Sequence, residues 1–418
     1  MGRIKILLIV VSLTGWTSIH GQSNTSLYSS QGIGELTSTG LQQNFAMGGL
    51  GYAIPHAFHI NVQNPSMLNY NRFSTFAVGL MGDFRHFTGE GIDTRKNIAS
   101  LRYLAMSFPL ITSKWTTAIT LLPYSSVKYD TYSIDELSGS NGSLTQYQGN
   151  GGLSTLSWSH GFRLFNSFSI GVKGSFVFGA ITEVSRIQLS GEDVSEAYVV
   201  AYEENSSYKD LQLSLSFSNK FKLSDRNFLN VGGVYNLSGD LNGEKEGKYE
   251  RYLSSGSLLQ SRVLSTEDIQ YSLPSIYGIG ISFERFNKLT IGTDFEFQTW
   301  ENGAGSGVDQ SLKNTVSFIL GGEITPDIQS VSSYLARSTY RIGAQFKTLP
   351  YMVNNTQIND FGINFGISLP VSGLSSIDAA FKYGLRGTTE NNLIQESYFQ
   401  AVIGATINDR WFIKRKYD

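Results

Sequence analysis

The 418-residue sequence contains no cysteine. In an exported chain this excludes a disulfide framework, thiol chemistry and lipid attachment through a cysteine, and leaves stability to packing or backbone pairing. Beyond the first twenty residues no stretch of eighteen consecutive apolar residues occurs, so transmembrane helices are excluded. An excess of positive charge is missing too. Setting aside Arg3 and Lys5 leaves 30 basic residues against 34 acidic ones, a net charge of about −4, which gives no reason to expect nucleic acid. No Pro/Ser-rich spacer, charge block or short internal repeat divides the chain.

The chain opens MGRIKILLIVVSLTGWTSIHGQ. Arg3 and Lys5 form a positive n-region, Ile6 to Trp16 an apolar core and Ser18 to Gly21 a small-residue exit, the order of a secretory signal peptide. The expected leader is residues 1–21, with Gln22 first in the mature chain. The apolar run is about half of the ~20 residues that a spanning helix needs.

From Arg72 onward, runs of period-two alternation end in Gly, Asn, Asp or Ser. In Lys288 to Trp300, Leu289, Ile291, Phe295 and Phe297 share one face, while Asp294, Glu296 and Gln298 share the other. Fourteen such segments follow from 73–84 to 393–407, an even number, as single-chain bacterial barrels require. They are longer than sandwich strands and match the ~9–11 residues of a tilted spanning strand. Lipid admits strands only in a closed barrel, because an open edge would leave N–H and C=O groups unpaired in hydrocarbon. The expected fold is therefore all-β, a 14-stranded antiparallel transmembrane barrel over residues 72–418, with its apolar face toward lipid. Turns such as 286–288 read as short, and 126–151, 182–208, 239–272 and 301–312 as long polar connections. Tyr124, Phe165, Trp300, Tyr351 and Tyr398, near strand ends, read as an interfacial girdle.

Residues 22–71 do not alternate, yet carry many apolar groups. They need a place of burial, and the lumen of a fourteen-stranded barrel offers one, so the segment reads as an N-terminal hatch, or plug. Gly48, Gly49 and Gly51 allow close approach to the wall and positive φ, and Pro55 and Pro65 stop helix from propagating. Phe45, Met47, Tyr52 and Phe58 are candidate apolar contacts to ligand or wall.

The run Ala46-Met47-Gly48-Gly49-Leu50-Gly51-Tyr52-Ala53, then Asn64-Pro65-Ser66, then fourteen alternating segments resembles the OmpP1/FadL family of outer-membrane channels. Leu50 and Ser66 are mild departures, and Pro55-His56-Ala57-Phe58-His59 replaces the family's acidic pair. The ending Trp411 to Asp418 resembles FadL-like proteins of Bacteroidota. The resemblance implies an outer-membrane channel in a Gram-negative bacterium, taking up long-chain fatty acid-like molecules past the hatch and releasing them sideways through a kinked third strand. Gly48, Gly49, Gly51, Asn64, Pro65 and Ser66 would then belong to the plug. Pro123, in the third segment, marks the wall opening, since proline cannot donate to a ladder. FadL-like barrels also include subunits that dock protein partners, resembling the barrel that carries substrates in type IX secretion. That is the alternative function, with the 182–208 and 239–272 connections as the docking elements.

Enzymatic and metal chemistry find no support. His56 and His59 lack a third ligand, Gly49-Leu50-Gly51 follows no βαβ strand, and no G-x-S-x-G element accompanies His86 or His160. Asp294, Glu296, Asp378 and Lys382 read as lumen residues that pair wall with hatch. Lys414-Arg415-Lys416 reads as a solvated tail. The expectation is thus a channel with no catalytic residue, metal or cofactor, whose partners are outer-membrane lipid, a hydrophobic small molecule and possible outer-membrane proteins.

Overall fold

The computed structural model describes residues 26–136, 142–190, 198–253, 255–300, 312–371 and 374–410. The expected leader, the C-terminal tail and nearly all of 301–312 lie outside these. After a two-residue strand β1 (Glu35–Leu36), the wall is built from β2 (Ser74–Gly89), β3 (Ile92–Ile111), β4 (Trp115–Pro123), β5 (Ser125–Glu136) and β6 (Gly142–Arg163). It continues with β7 (Phe168–Ser190), β8 (Tyr198–Lys222), β9 (Asn227–Asn236), β10 (Gly239–Leu253), β11 (Leu258–Leu273) and β12 (Ser275–Arg285). The remaining strands are β13 (Leu289–Thr299), β14 (Thr315–Ile324), β15 (Thr339–Val353), β16 (Thr356–Pro370), β17 (Ser376–Arg386) and β18 (Gln395–Asp409).

All ladders are antiparallel, and β18 closes on β2 from Gln395↔Thr88 to Asp409↔Ser74. Three passes are interrupted: β4 and β5 at Tyr124, β9 and β10 at 237–238, β11 and β12 at Pro274. Counting each pair as one pass gives fourteen, the expected barrel.

Alternation decides which side faces lipid. On β8, Leu211, Leu213, Leu215 and Phe217 are exposed while Ser214, Ser216 and Ser218 turn inward. On β12, Tyr277, Ile279, Ile281 and Phe283 are exposed while Ser282 and Glu284 turn inward. An apolar belt outside and a polar lining inside is the pattern of a bilayer-spanning barrel.

Two expectations need correction. The presumed connections at 126–151, 182–208 and 239–272 are strand over 126–136, 142–151, 182–190, 198–208, 239–253 and 258–272. At ~3.3 Å per residue, the 25 residues of β8 span about 80 Å. The 11 of β13 span about 35 Å. One side of the wall therefore rises far past the bilayer as an extension made from β5, β6, β7, β8, β10 and β11. Much of the extension is polar, so hydrophobic contrast fades while backbone pairing continues. On β11 both faces are exposed from Leu258 to Asp268. By the rule that long elements lie outside and short turns in the periplasm, this is the outer end.

The girdle is the second correction. Trp300, Tyr351 and Tyr398 are buried inside the wall, and Tyr124 packs against the same inner cluster. Only Phe165, at a basal turn, is strongly exposed. Their strand parity is that of the lumen, and the lumen near the outer end is apolar because the leading segment fills it.

Candidate functional site: the leading segment and the third-strand break

The segment 26–73 touches strands around the whole ring, which is possible only from inside. At the outer end Ser26 Oγ and the Leu27 N–H donate to Glu396 Oε1 at 2.6 and 3.0 Å. Tyr28 OH donates to the Ile394 carbonyl at 2.5 Å. Tyr28 and Ile33 join Leu153, Tyr271, Leu349 and Tyr351 in an apolar layer across the lumen. Beside it, Glu35 meets Arg386 at 2.7 Å and Arg85 at 3.1 Å. Burial alone would raise the Glu35 pKa, but the guanidinium groups of Arg386 and Arg85 outweigh it and hold the carboxyl below the usual range. Arg386 is also held by Asp360 at 2.5 Å, and Arg85 by Asp83 and Glu396 at 3.0 and 2.9 Å.

Lower down, side-chain amides replace regular structure. Gln43 donates to the Ile60 carbonyl, Asn44 to Leu50, Gln63 to Gly49, and Asn61 to both Gly51 and Ile54. Gly48 and Gly49 have φ of 76° and 101°, as expected of a turn pressed to the wall, whereas Gly51 does not adopt positive φ and is crowded by Gln63 and Asn44 of the segment itself rather than by the wall. The wall yields in kind. At Gly343 an added Cβ would collide with Met47 backbone, and at Gly232 with the Tyr52 carbonyl. Gly51 and Tyr52 N–H groups donate to Asp294 at 2.7 and 2.9 Å. Asn64-Pro65-Ser66 is a cap: Asn64 accepts from the Ser66 N–H at 3.1 Å and Oγ at 2.6 Å, opening the turn Pro65–Tyr70. The Asn64 amide nitrogen also donates to Tyr52 and to wall residue Phe217.

Three of the four aromatic and methionine candidates are committed to packing. Phe45 lies under Arg102, 4.8 Å from the guanidinium to the ring, and Met47 packs with Leu50, Ile54 and Ile319. Tyr52 OH donates to Glu296. Phe58 instead stacks on Phe73 and lines a basal cavity of about 490 Å³ with His59, Arg163 and Lys220. His56 and His59 approach carboxylates of the wall. His56 Nδ1 lies 3.8 Å from Glu323, and His59 Nε2 lies 3.5 Å from Asp378. Burial pushes the His56 pKa down to about 3, so that first approach is not an ion pair near neutrality. Among the described residues no three His, Cys, Asp or Glu side chains gather as a metal site. Lys382 pairs with Asp360 of the wall at 3.8 Å, not with the segment.

Pro123 is the last residue of β4. Its neighbour Tyr124 donates to the Leu153 carbonyl at 2.8 Å, and its own carbonyl accepts from Thr37 at 2.9 Å. β1 pairs at Ser125 and Ser126. The irregularity continues sideways through Gly151 and Gly152, with φ of 117° and 139°. β3 pairs with β4 only from Leu104 onward, so among the described residues its outer part, 92–103, shares no ladder with β5. The wall is split between the second and third passes above the break.

The amides and the arginine cluster escaped the sequence reading. The density of Gln42, Gln43, Asn44, Asn61, Gln63 and Asn64 in an apolar segment was the available signal for the former.

The fold is shared with solved outer-membrane channels. A Pseudomonas aeruginosa FadL homologue aligns at TM-score 0.59 and 11% identity, over 90% of this chain and 98% of that one. The Pseudomonas putida toluene transporter TodX gives 0.57 and 14%, over 91% and 100%. The CymD monoaromatic hydrocarbon channel gives 0.58 and 14%, over 90% and 99%. At such identities the likeness shows the fold alone, a closed 14-stranded antiparallel barrel like that of these channels. No curated protein matches the sequence. The family model BamG matches residues 3–418, and the chain therefore belongs to the BamG family.

Proposed function

We propose that this protein is a non-enzymatic docking barrel, an outer-membrane subunit that holds protein partners within a secretion or assembly complex. The carrying observation is the outer extension, where β11 stands with both faces exposed from Leu258 to Asp268. Tyr147, Tyr202 and Tyr249 are exposed in a single cross-strand row, joined through Ser185 and ending at Arg262. Tyrosine and arginine are the residue types enriched at protein interfaces. The lumen supports the same reading. An apolar solute leaving lipid for a polar passage loses ~25 cal/mol per Å². Here the interior is crossed by the Glu35, Arg85, Arg386 and Asp360 ion pairs.

The test is purification from outer membranes in mild detergent. A stoichiometric protein partner is expected, lost when residues 244–267 are replaced by a two-residue turn. A lone barrel, with the same composition before and after that deletion, would overturn the reading.

The split wall supports a second reading, uptake of hydrophobic small molecules gated by the hatch with lateral release. Pro123→Val is expected to restore pairing at the break and abolish uptake in a deletion background. Unchanged uptake would remove the idea.

A further inference from the structure

A cavity of about 170 Å³ lies between the upper part of the leading segment, Glu35 to Thr39, and its lower part, Phe45 to Gln63. By volume it is large enough for several waters. Its lining has five cationic side chains, Arg102, Lys173, Lys347, Lys382 and Arg386, against three carboxylates, Glu35, Glu296 and Asp360. The carboxylates are already engaged: Glu35 and Asp360 by arginines, Glu296 by Tyr52 and Gln298.

Of the four buried arginines among the described residues, Arg85, Arg341 and Arg386 meet carboxylates. Arg102, only 3% exposed, meets none. Its Nη1 approaches the Met81 sulfur at 3.5 Å, its Nη2 the Ser38 carbonyl at 3.4 Å, and its Nε has no acceptor. The one carboxylate that acts on it, Asp83, does so from a distance and is paired with Arg85, and a buried guanidinium without a paired counter-charge is expensive to hold. The backbone places it there by an irregularity. Gly79 pairs with Tyr103 and Leu80 with Leu101, leaving Arg102 as the extra residue of a β-bulge. Bulges re-aim side chains and recur beside functional sites. Lys173, on the inward face of β7 with Gly171 and Ser175, lines the same cavity.

We propose that this cavity binds a small oxyanion, a carboxylate or phosphate group, with Arg102 and Lys173 as its charged ligands. The inference is independent of the docking reading, since it concerns the interior and not the extension. The missing paired counter-charge is supplied by the ligand, and the free Nε and the Lys173 ammonium, with Lys347 also in the lining, are the donors left to meet it. The group could come from free anion or from the head of an acidic lipid, which share this chemistry.

The test uses the full barrel in detergent, titrated with inorganic phosphate against chloride at constant ionic strength, together with native mass spectrometry. The expected result is a saturable, phosphate-dependent rise in unfolding temperature. The apparent affinity should weaken at least about tenfold in Arg102→Gln and in Lys173→Gln, the scale of a charge-assisted hydrogen bond. A retained acidic lipid, released by the same substitutions, supports the proposal with lipid as the source. Should Arg102→Gln not fold, Lys173→Gln and the wild-type mass spectrum decide. A wild-type barrel with neither phosphate dependence nor retained anion overturns the proposal. So does a phosphate response that Lys173→Gln leaves unchanged, which would assign Arg102 to packing against Phe45 and Ser38 alone.

Discussion

Glu35, the only carboxylate between Ser26 and Phe73, sits 2.7 Å from Arg386 on the barrel wall. Because Arg85 reaches the same carboxylate, one side chain fastens the upper leading segment to β2 and β17 together. Glu35→Gln removes the charge and leaves the guanidinium groups to Glu396, Asp83 and Asp360. Breaking one partner out of a buried network destabilises by about 3–5 kcal/mol. The barrel is expected to stay closed while residues 26–40 become protease-sensitive. An unchanged cleavage pattern, with an unchanged midpoint in heat-modified gel mobility, would contradict this.

Acid should loosen the segment in two stages. The His56 pKa is lowered to about 3 from an ordinary 6.5, mainly by burial, so the folded state resists a proton that the released segment accepts. Stability is therefore full above about 6.5 and declines as pH falls toward 3. The depressed Glu35 carboxyl contributes fully above its unfolded value, about 4.3, and is lost as pH falls through its folded value. Hydrogen exchange of residues 26–71 against pH should show the first decline beginning near 6.5. In His56→Gln that early decline should vanish and the later one persist. A single transition below pH 4 in both proteins would show that His56 contributes nothing.

How much of this was legible in the sequence depends on where hydrophobic contrast was strong. Within the bilayer, alternation such as Leu211, Leu213, Leu215 against Ser214, Ser216, Ser218 marks a strand unmistakably, and the fourteen passes follow. Above it, β10 and β11 carry GEKEGKYER and QSRVLSTED, charged and polar runs without hydrophobic alternation, and on β11 both faces meet water. Those strands exist through ladder pairing alone, which composition does not record. Glycine content and the lack of alternation announced an irregular leading segment, and Asn64-Pro65-Ser66 proved to be a helical-turn cap. Which carboxylate meets which arginine depends on register between strands far apart in sequence, 311 positions for Arg85 and Glu396, and no local pattern encodes that.

The close seat of the segment gives a steric prediction. At Gly232 a Cβ would enter the space of the Tyr52 carbonyl, which accepts from Asn64. Gly232→Val, at a lumen-facing position of β9, should displace Tyr52 and weaken the Asn64 cap. Removing a cap costs about 0.5–2 kcal/mol. Overpacking adds about 1–3 kcal/mol. Tyr52 fluorescence or cleavage near Ala53 should report the change, and a Gly233→Val variant, on the opposite face, should leave this contact intact. Equal effects from both would argue that general strand disruption is responsible.

Asp294 gives a complementary test, because it holds backbone rather than side chain. Its carboxylate accepts from the Gly51 and Tyr52 N–H groups. Both sit where water is excluded. Asp294→Ala strands two buried donors at about 1–3 kcal/mol each. Asp294→Asn keeps one acceptor oxygen and should lie between. The expected order of amide exchange at Gly51 and Tyr52 is therefore Ala fastest, then Asn, then wild type, with amides of β12 and β14 unchanged. If the two amides stay as protected in Asp294→Ala as in the wild type, the segment is held by the glycine contacts at Gly232 and Gly343. The wall carboxylate would then be dispensable for seating it.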